Sequence, residues 1–403
     1  MIPILRIMFT PKITSGGSKR PSSKAAASEG AKRTLRYVEP LRFTPCRIRH
    51  GTFVNAAEMV RRQCPARTPL ADFLSILPAW RSAVMLGSLV ALLAFPIGCG
   101  AEREASLRSD TDEKWQPWQV LETQSGRIVP FSELMTKLEQ HDIVYLGEEH
   151  HNPYHIQAAL KVLDQLVADG IEPTIGMEMF GWDGQPALDN YVATTQPVTN
   201  EFLEQVRWKQ NWGGAFEDYA PLVTFARDRH LSVLAMNPPR PLIRGVVKRG
   251  LDQERHEPEW VPWGILQEDI VDDPAYRGRI LDQLRRCHGG TEEHFRTMYE
   301  ASMVRDEGMA RTLVHRQEEF RRESDGPRRM IVSYTGGGHV QYGLPVPKRV
   351  ARRLGDDIKQ TTIYMMSFEP SKTEEVRTLM QEPIADYIWL TPMGKSSSTK
   401  PCR

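Results

Sequence analysis

From residue 142 onward, short apolar runs alternate with stretches in which apolar residues recur every three or four positions. DIVYLG (142–147) is an apolar run closed by a glycine, and NPYHIQAALKVLDQLVADG (152–170) keeps helical spacing up to Gly170. Together they predict a strand, a loop and a helix. PTIGMEMF (173–180) predicts a second buried strand and completes a βαβ unit, whose crossover favours parallel pairing. LSVLAMN (231–237), RMIVSYTG (329–336), TTIYMMSF (361–368) and DYIWLTP (386–392) predict four more strands. Strands alternating with helices predict an α/β fold, a mostly parallel central sheet with helices on both faces. Two stretches break the alternation: 183–227, rich in Trp and other aromatics, and 255–325, with the amphipathic EEHFRTMYEASMVRDEGMARTLVHRQEEF. They predict an inserted helical lobe. Ligands of open α/β sheets bind at the carboxyl ends of strands, so the loops after 147, 180, 237 and 336 are expected to converge.

The N-terminal part follows another pattern. Residues 1–80 lack apolar periodicity and include the low-complexity SGGSKRPSSKAAASEGAKR. This segment reads as disordered, either a basic arm or the product of a start codon assigned too early. Arg81 to Cys99 runs from a basic residue through a short apolar stretch to small residues and a cysteine, the anatomy of a secretory signal. Ile97-Gly98-Cys99 is similar to the end of a bacterial lipobox, with Pro96 where Leu is usual, so Cys99 is expected to carry lipid. That would hold the protein on a membrane of the cell envelope, at the outer membrane or its periplasmic face. Residues 100–117 then read as a polar tether, and 118–395 as the folded domain.

Composition narrows the function classes. Lys and Arg number 52 and Asp and Glu 51, a net charge of +1, so no overall field attracts nucleic acid. Five scattered cysteines without CxxC spacing make neither a zinc finger nor a disulfide framework.

Candidate chemistry concentrates at two predicted strand ends. GEEHHNPYHI places Glu148, Glu149, His150, His151 and His155 directly after the first strand. Such groups gain nothing from burial at a strand end unless they bind something. His151 and His155, four apart, share a face if the helix starts early. For His151 and Glu149 the alternative is a solvated loop. The second turn, SYTGGGHVQYGLPVP, sets His339 after three glycines that allow close backbone approach, with Tyr342 three residues on as an iron ligand, a hydrogen-bond donor or a core phenol. Glu178 stands among apolar neighbours in GMEMF, where an ionised carboxylate needs a metal, an arginine or a histidine. Arg305 and Asp306 are candidates for that partner, surface ion pairing being the alternative. Trp208, Trp212 and Tyr219 read as packing aromatics that could also wall an apolar macrocycle.

The ordered series YLGEEHHNPYHIQAALKVLDQL, IGMEMF, WKQNWGGAFEDYAPLVTFARDRHLSVLAMNPPR, RDEGMARTL and GGGHVQYGLPVP resembles the ChaN-like haem-binding lipoproteins over roughly 118–350. That family is related to the Tiki and TraB proteins and, more distantly, to erythromycin esterases. The resemblance implies an α/β body with a helical lobe that binds haem iron, across a homodimer, for haem and iron uptake. It points to His150, His151, His155, His339, Tyr342 and Arg305 as haem-binding residues. Relatives that are metallohydrolases use two GxxH turns and a glutamate. For this chain that alternative implies a divalent metal on His150, His339 and Glu178, with Glu148 or Glu178 catalytic. Family members often have Asp after the GExH turn and Asn within the glycine turn; this chain has His151 and Gly337 or Gly338.

Overall fold

A computed structural model describes residues 115–194, 197–265, 269–323 and 325–394. The expected disordered segment, signal segment with Cys99 and most of the tether lie outside the described residues. Trp115, at the end of the expected tether, is buried against Leu121 and Tyr364, so packing starts before Trp118.

The chain opens with β1 (Val120–Glu122), β2 (Ile128–Val129), α1 (Phe131–Leu138), β3 (Ile143–Glu148), α2 (Pro153–Ala168) and β4 (Glu172–Gly181). Four helices follow: α3 (Gln185–Val192), α4 (Asn200–Gln205), α5 (Trp208–Asn211) and α6 (Ala220–Asp228). Next come β5 (Val233–Asn237), α7 (Arg240–Arg249), α8 (Leu251–Glu254), α9 (Pro274–Cys287) and α10 (Glu292–Arg322). The chain closes with β6 (Arg329–Gly336), α11 (Val346–Leu354), β7 (Gln360–Ser367), α12 (Thr373–Gln381) and β8 (Tyr387–Thr391).

The strands form one sheet in the order β2-β1-β8-β7-β3-β6-β4-β5. From β8 to β5 every pairing is parallel, and only β1 runs antiparallel to its neighbours. The mostly parallel α/β fold is therefore the architecture of this chain. β3, paired with both β6 and β7, sits centrally, and its register sets Glu148 opposite Gly336.

Alternation with period two sorts the side chains. Val144, Leu146, Ile175, Met177, Val332 and Tyr334 face α1, α2, α3 and α6 on one side. Ile143, Tyr145, Leu234, Met236 and Ile331 face Met309 and Leu313 of α10 and Val350 of α11 on the other. α12 covers Tyr364, Met366 and Ile388.

The helical lobe expected over 183–227 and 255–325 is smaller and differently placed. Leu188, Leu222, Val223 and Ala226 belong to the main core, so 183–227 is part of a sheet-covering layer. α10, 31 residues long, spans roughly 46 Å at 1.5 Å per residue, well beyond an eight-residue strand. Its second half packs on the sheet. Its first half extends past the sheet and is covered instead by α7, α8 and α9, through Ala301 and Val304 with Ile243 and Val246, and Phe295 and Met298 with Ile280 and Leu284.

Candidate functional site

The two glycine-led turns pack against each other. A Cβ on Gly147 would lie 2.5 Å from Val340 Cγ2 and 3.0 Å from the Gly337 Cα, so closeness of backbones, and not unusual torsion, requires glycine there. After Glu148 the chain turns sharply through His151 at φ +66°, a strained value for a non-glycine residue. Asn152 then caps α2, its side chain accepting from the Tyr154 N–H.

Glu148 ends β3 with its carboxylate fully buried. Oε1 accepts from His150 Nδ1–H at 2.8 Å and from the Tyr219 hydroxyl at 3.0 Å, and Oε2 accepts from the Tyr334 hydroxyl at 2.7 Å. The Glu148 bond assigns the His150 proton to Nδ1 and leaves Nε2 for a ligand or a second proton. The His150 side chain is 13% exposed and meets the Trp212 ring edge-on at 4.8 Å. Burial disfavours its imidazolium, but the bond and charge of Glu148 outweigh burial and raise the pKa. The Tyr219 and Tyr334 phenols are pushed up by burial and then by Glu148, so both remain donors.

A second acid, Glu178 of β4, stands across the turn. Its Oε2 accepts from the Gly336 N–H at 2.6 Å, and its Oε1 pairs with Arg305 Nη2 of α10. His339 Nε2 lies 3.2 Å from the same oxygen, in ion-pair range but without hydrogen-bond alignment. On its other side His339 donates from Nδ1 to Asp306 Oδ1 at 2.5 Å, and Asp306 also accepts from the Tyr276 hydroxyl. Burial alone would depress His339; Glu178 and Asp306 outweigh it and raise its pKa to about 9. For Glu178 burial pushes the carboxyl up, but His339 and Arg305 hold it well below its ordinary value.

Gly336 joins the two acids. A Cβ there would fall 2.7 Å from His150 Cε1 and 3.3 Å from Glu178 Oε2, so one bare backbone position lets both side chains close around the same point. Glu148, His150, Glu178, Arg305 and His339 are thus brought together from β3 and the turn after it, β4, α10 and the turn after β6.

Other predicted residues are placed differently. His151 sits beside the cluster, with Nδ1 2.6 Å from Asp218 and its N–H on the Tyr219 hydroxyl at 3.2 Å. Glu149 accepts from the Ser367 N–H at 3.0 Å and ties β3 to β7. His155 faces inward from α2, completely buried, with Nδ1 accepting from the Glu149 N–H at 2.9 Å. Burial drives its pKa to about 3, so it is a neutral brace of the loop and not a wall of the site. Tyr342, at φ +58°, packs against the α12 cluster with the Arg279 guanidinium 3.5 Å over its ring.

The divalent-metal set of His150, His339 and Glu178 does not form. Among the described residues no group of three or more His, Cys, Asp or Glu is arranged to hold an ion. Both Glu178 oxygens are already engaged, by Arg305 and by the Gly336 N–H, and His339 lies between Glu178 and Asp306, which raise its pKa to about 9.

Sequence reasoning missed Tyr334 and Tyr276 as acid-holding phenols and Asp218 as the His151 partner. Tyr334, two residues before Gly336 in an alternating strand, carried a weak signal. Tyr276 carried none.

Fold and candidate site together define an α/β protein whose parallel sheet carries paired imidazoles and carboxylates at its carboxyl edge. The family described as "Haem-binding uptake, Tiki superfamily, ChaN" matches residues 134–350, more than half of the chain, and the chain belongs to that family. A solved structure of cofacial heme binding to ChaN of Campylobacter jejuni is 16% identical, covers 67% of this chain and 95% of its own, and superposes with a TM-score of 0.50; the fold is shared. Protein RETICULATA-RELATED 5, chloroplastic, of Arabidopsis thaliana is 22% identical over 282 residues, 66% of this chain, which spans only 35% of that relative's length. An erythromycin esterase mutant in its open conformation is 16% identical over 62% of this chain and 76% of its own, at a TM-score of 0.34 too loose to carry an argument.

Proposed function

We propose that this chain binds haem at the carboxyl end of β3, with His150 as the iron ligand, and serves haem or iron uptake at the cell envelope, anchored there through Cys99. The observation that carries the reading is the Glu148–His150 pair: Nδ1 is fixed on a buried carboxylate at 2.8 Å, and the imidazole keeps 13% of its side chain exposed. A carboxylate-backed imidazole would be a good iron donor, because the second partner fixes the tautomer and raises basicity. The residues therefore fit the group. Haem would supply the iron and a broad apolar face; Glu148 orients the ligand nitrogen, Tyr219 and Tyr334 hold Glu148, and Trp212 offers an aromatic edge beside the imidazole. Membership of the haem-binding family supports this reading. A second copy sharing the ligand belongs to the same proposal.

Titration of the purified chain with haem, followed by absorbance, tests it. A Soret band that shifts on binding is expected, lost in His150→Ala and kept in Tyr342→Phe. An unchanged haem spectrum, or a band indifferent to His150→Ala, would exclude His150 as the ligand.

The same dyad favours one rival reading, hydrolysis of an ester with His150 Nε2 as general base and Glu148 holding the imidazole. Its divalent-metal form lacks a ligand set among the described residues. Ester turnover that disappears in Glu148→Gln would favour the enzyme.

A further inference from the structure

The two acids at the end of the sheet are held by different kinds of donor. Glu178 is matched by cations: Arg305 and His339 both lie against its Oε1, and the Gly336 N–H takes its Oε2. Glu148 is buried just as deeply, yet its donors are the His150 Nδ1–H and the hydroxyls of Tyr219 and Tyr334. Among the described residues no lysine or arginine pairs with it. Burial, and then the carboxylate itself, keep both phenols protonated, so they lend hydrogen bonds and no charge.

A carboxylate stripped of water is costly unless positive charge stands near it. His150 can supply that charge as an imidazolium, but only while Nε2 keeps a second proton. An imidazole that gives Nε2 to a metal has lost that proton, and the balancing charge then comes from the metal. Glu148 therefore favours the more positive state of the metal. It does so through its field and by drawing on the Nδ1 proton, which makes Nε2 a stronger donor. Each phenol works against this pull. A hydrogen bond to the carboxylate lowers its basicity, and Tyr219 competes with His150 for the same oxygen, Oε1.

We infer that Glu148 selects the oxidation state of the ligand, ferric haem being taken in preference to ferrous, and that Tyr219 and Tyr334 are positioning residues which limit this preference. The inference rests on the haem reading, with His150 as the iron ligand. On the same ring the ferric core is more positive than the ferrous one, so the buried carboxylate discriminates between them without touching either.

Haem titrated by absorbance into the full chain, once as the ferric form and once as the ferrous form under anaerobic dithionite, gives the ratio of the two affinities. A tenfold change in that ratio corresponds to a shift of about 59 mV in the potential of the bound iron. Glu148→Gln should lower the ratio at least about tenfold, since it removes the buried charge and a charge-assisted bond together. Tyr334→Phe deletes only the hydroxyl on Oε2 and should raise the ratio about three- to tenfold; Tyr219→Phe, acting on the other oxygen, should move it the same way. The opposite signs separate tuning from damage, because a variant that merely loosened Glu148 would follow Glu148→Gln. Tyr145→Phe, a buried phenol bonded to Gln360 on the other face of β3, should leave the ratio unchanged. A ratio unmoved by Glu148→Gln, or lowered or left alone by the tyrosine variants that fold, overturns the inference while the iron ligand stands. A haem spectrum that does not change, or is indifferent to His150→Ala, removes the haem reading and the inference with it.

Discussion

Two histidines of this protein are buried to the same depth and end in opposite charge states. His155, in the first turn of α2, is 0% exposed, and His339, after β6, is 2% exposed. Around His155 burial dominates and lowers the pKa to about 3; its Nδ1 accepts a backbone N–H, and its Nε2 is buried without a hydrogen-bond partner. The same burial acts on His339, yet Glu178 and Asp306 overcome it and raise the pKa to about 9. Depth sets the strength of every electrostatic contribution, and the neighbours decide the sign. One region is a neutral brace; the other is a charged junction that clamps two acids at the carboxyl end of the sheet.

The comparison can be broken most forcefully from the acid side. Unfolded His155 takes up a proton near 6.5, while the folded protein resists until about 3, so stability is intact above 6.5 and declines as pH falls across that window. The contribution is roughly 5 kcal/mol. Urea unfolding from pH 7 to pH 4 should show a steep loss in the wild type and a distinctly shallower one in His155→Leu. Equal slopes would mean that the imidazole is not the buried neutral base described.

Removing the acid from the other region comes next. Glu178→Leu leaves Arg305, the Gly336 N–H and His339 facing an apolar side chain and should cost about 3–5 kcal/mol in the same assay. The His339 titration, followed by NMR, should move down towards that of His155. A His339 that stays charged in this variant would show that Asp306 alone suffices.

On the alkaline side the signs reverse. The folded pKa of His339 is raised, so its contribution is fully present below 6.5 and is lost as pH rises through about 9. About 3 kcal/mol should disappear between those limits, and Asp306→Asn should flatten the decline. The smallest effect concerns a third histidine at the rim. The side chains of His151 and Asp218 are 17% and 38% exposed, and at that exposure Asp218→Asn should change stability by about 0.5 kcal/mol.

Much of the fold was legible in the order of residues. All six parallel strands fall on the predicted runs, β6 over the same residues, because a doubly covered strand must be apolar throughout. β1 and β2, of three and two residues, are too short to show any period. The extent of the helical lobe was misread because amphipathic spacing marks a buried face without saying whether sheet or helix buries it. The site divides along the same line. Glu148, Glu178, His150 and His339 were visible as polar groups at strand ends. His155 looked like their companion because its spacing from His151 suggests a shared helix face, yet His151 lies outside the helix at φ +66° and His155 points into the core. Tyr276 carried no local sign of its bond to Asp306.

The chain's own pattern of apolar and polar positions determined which segments become strands, that the sheet is parallel, and which imidazoles and carboxylates stand at strand ends, since these follow from periods of two and 3.6 residues that local sequence encodes directly. Folding alone decided which acid meets which base. Glu178 holds a backbone N–H 158 positions away, and Asp306 reaches His339 from α10. Charge states arise from such contacts because an ion pair acts through distances of about 3 Å in a medium that burial has stripped of water, and neither the distance nor the burial is written in any single segment.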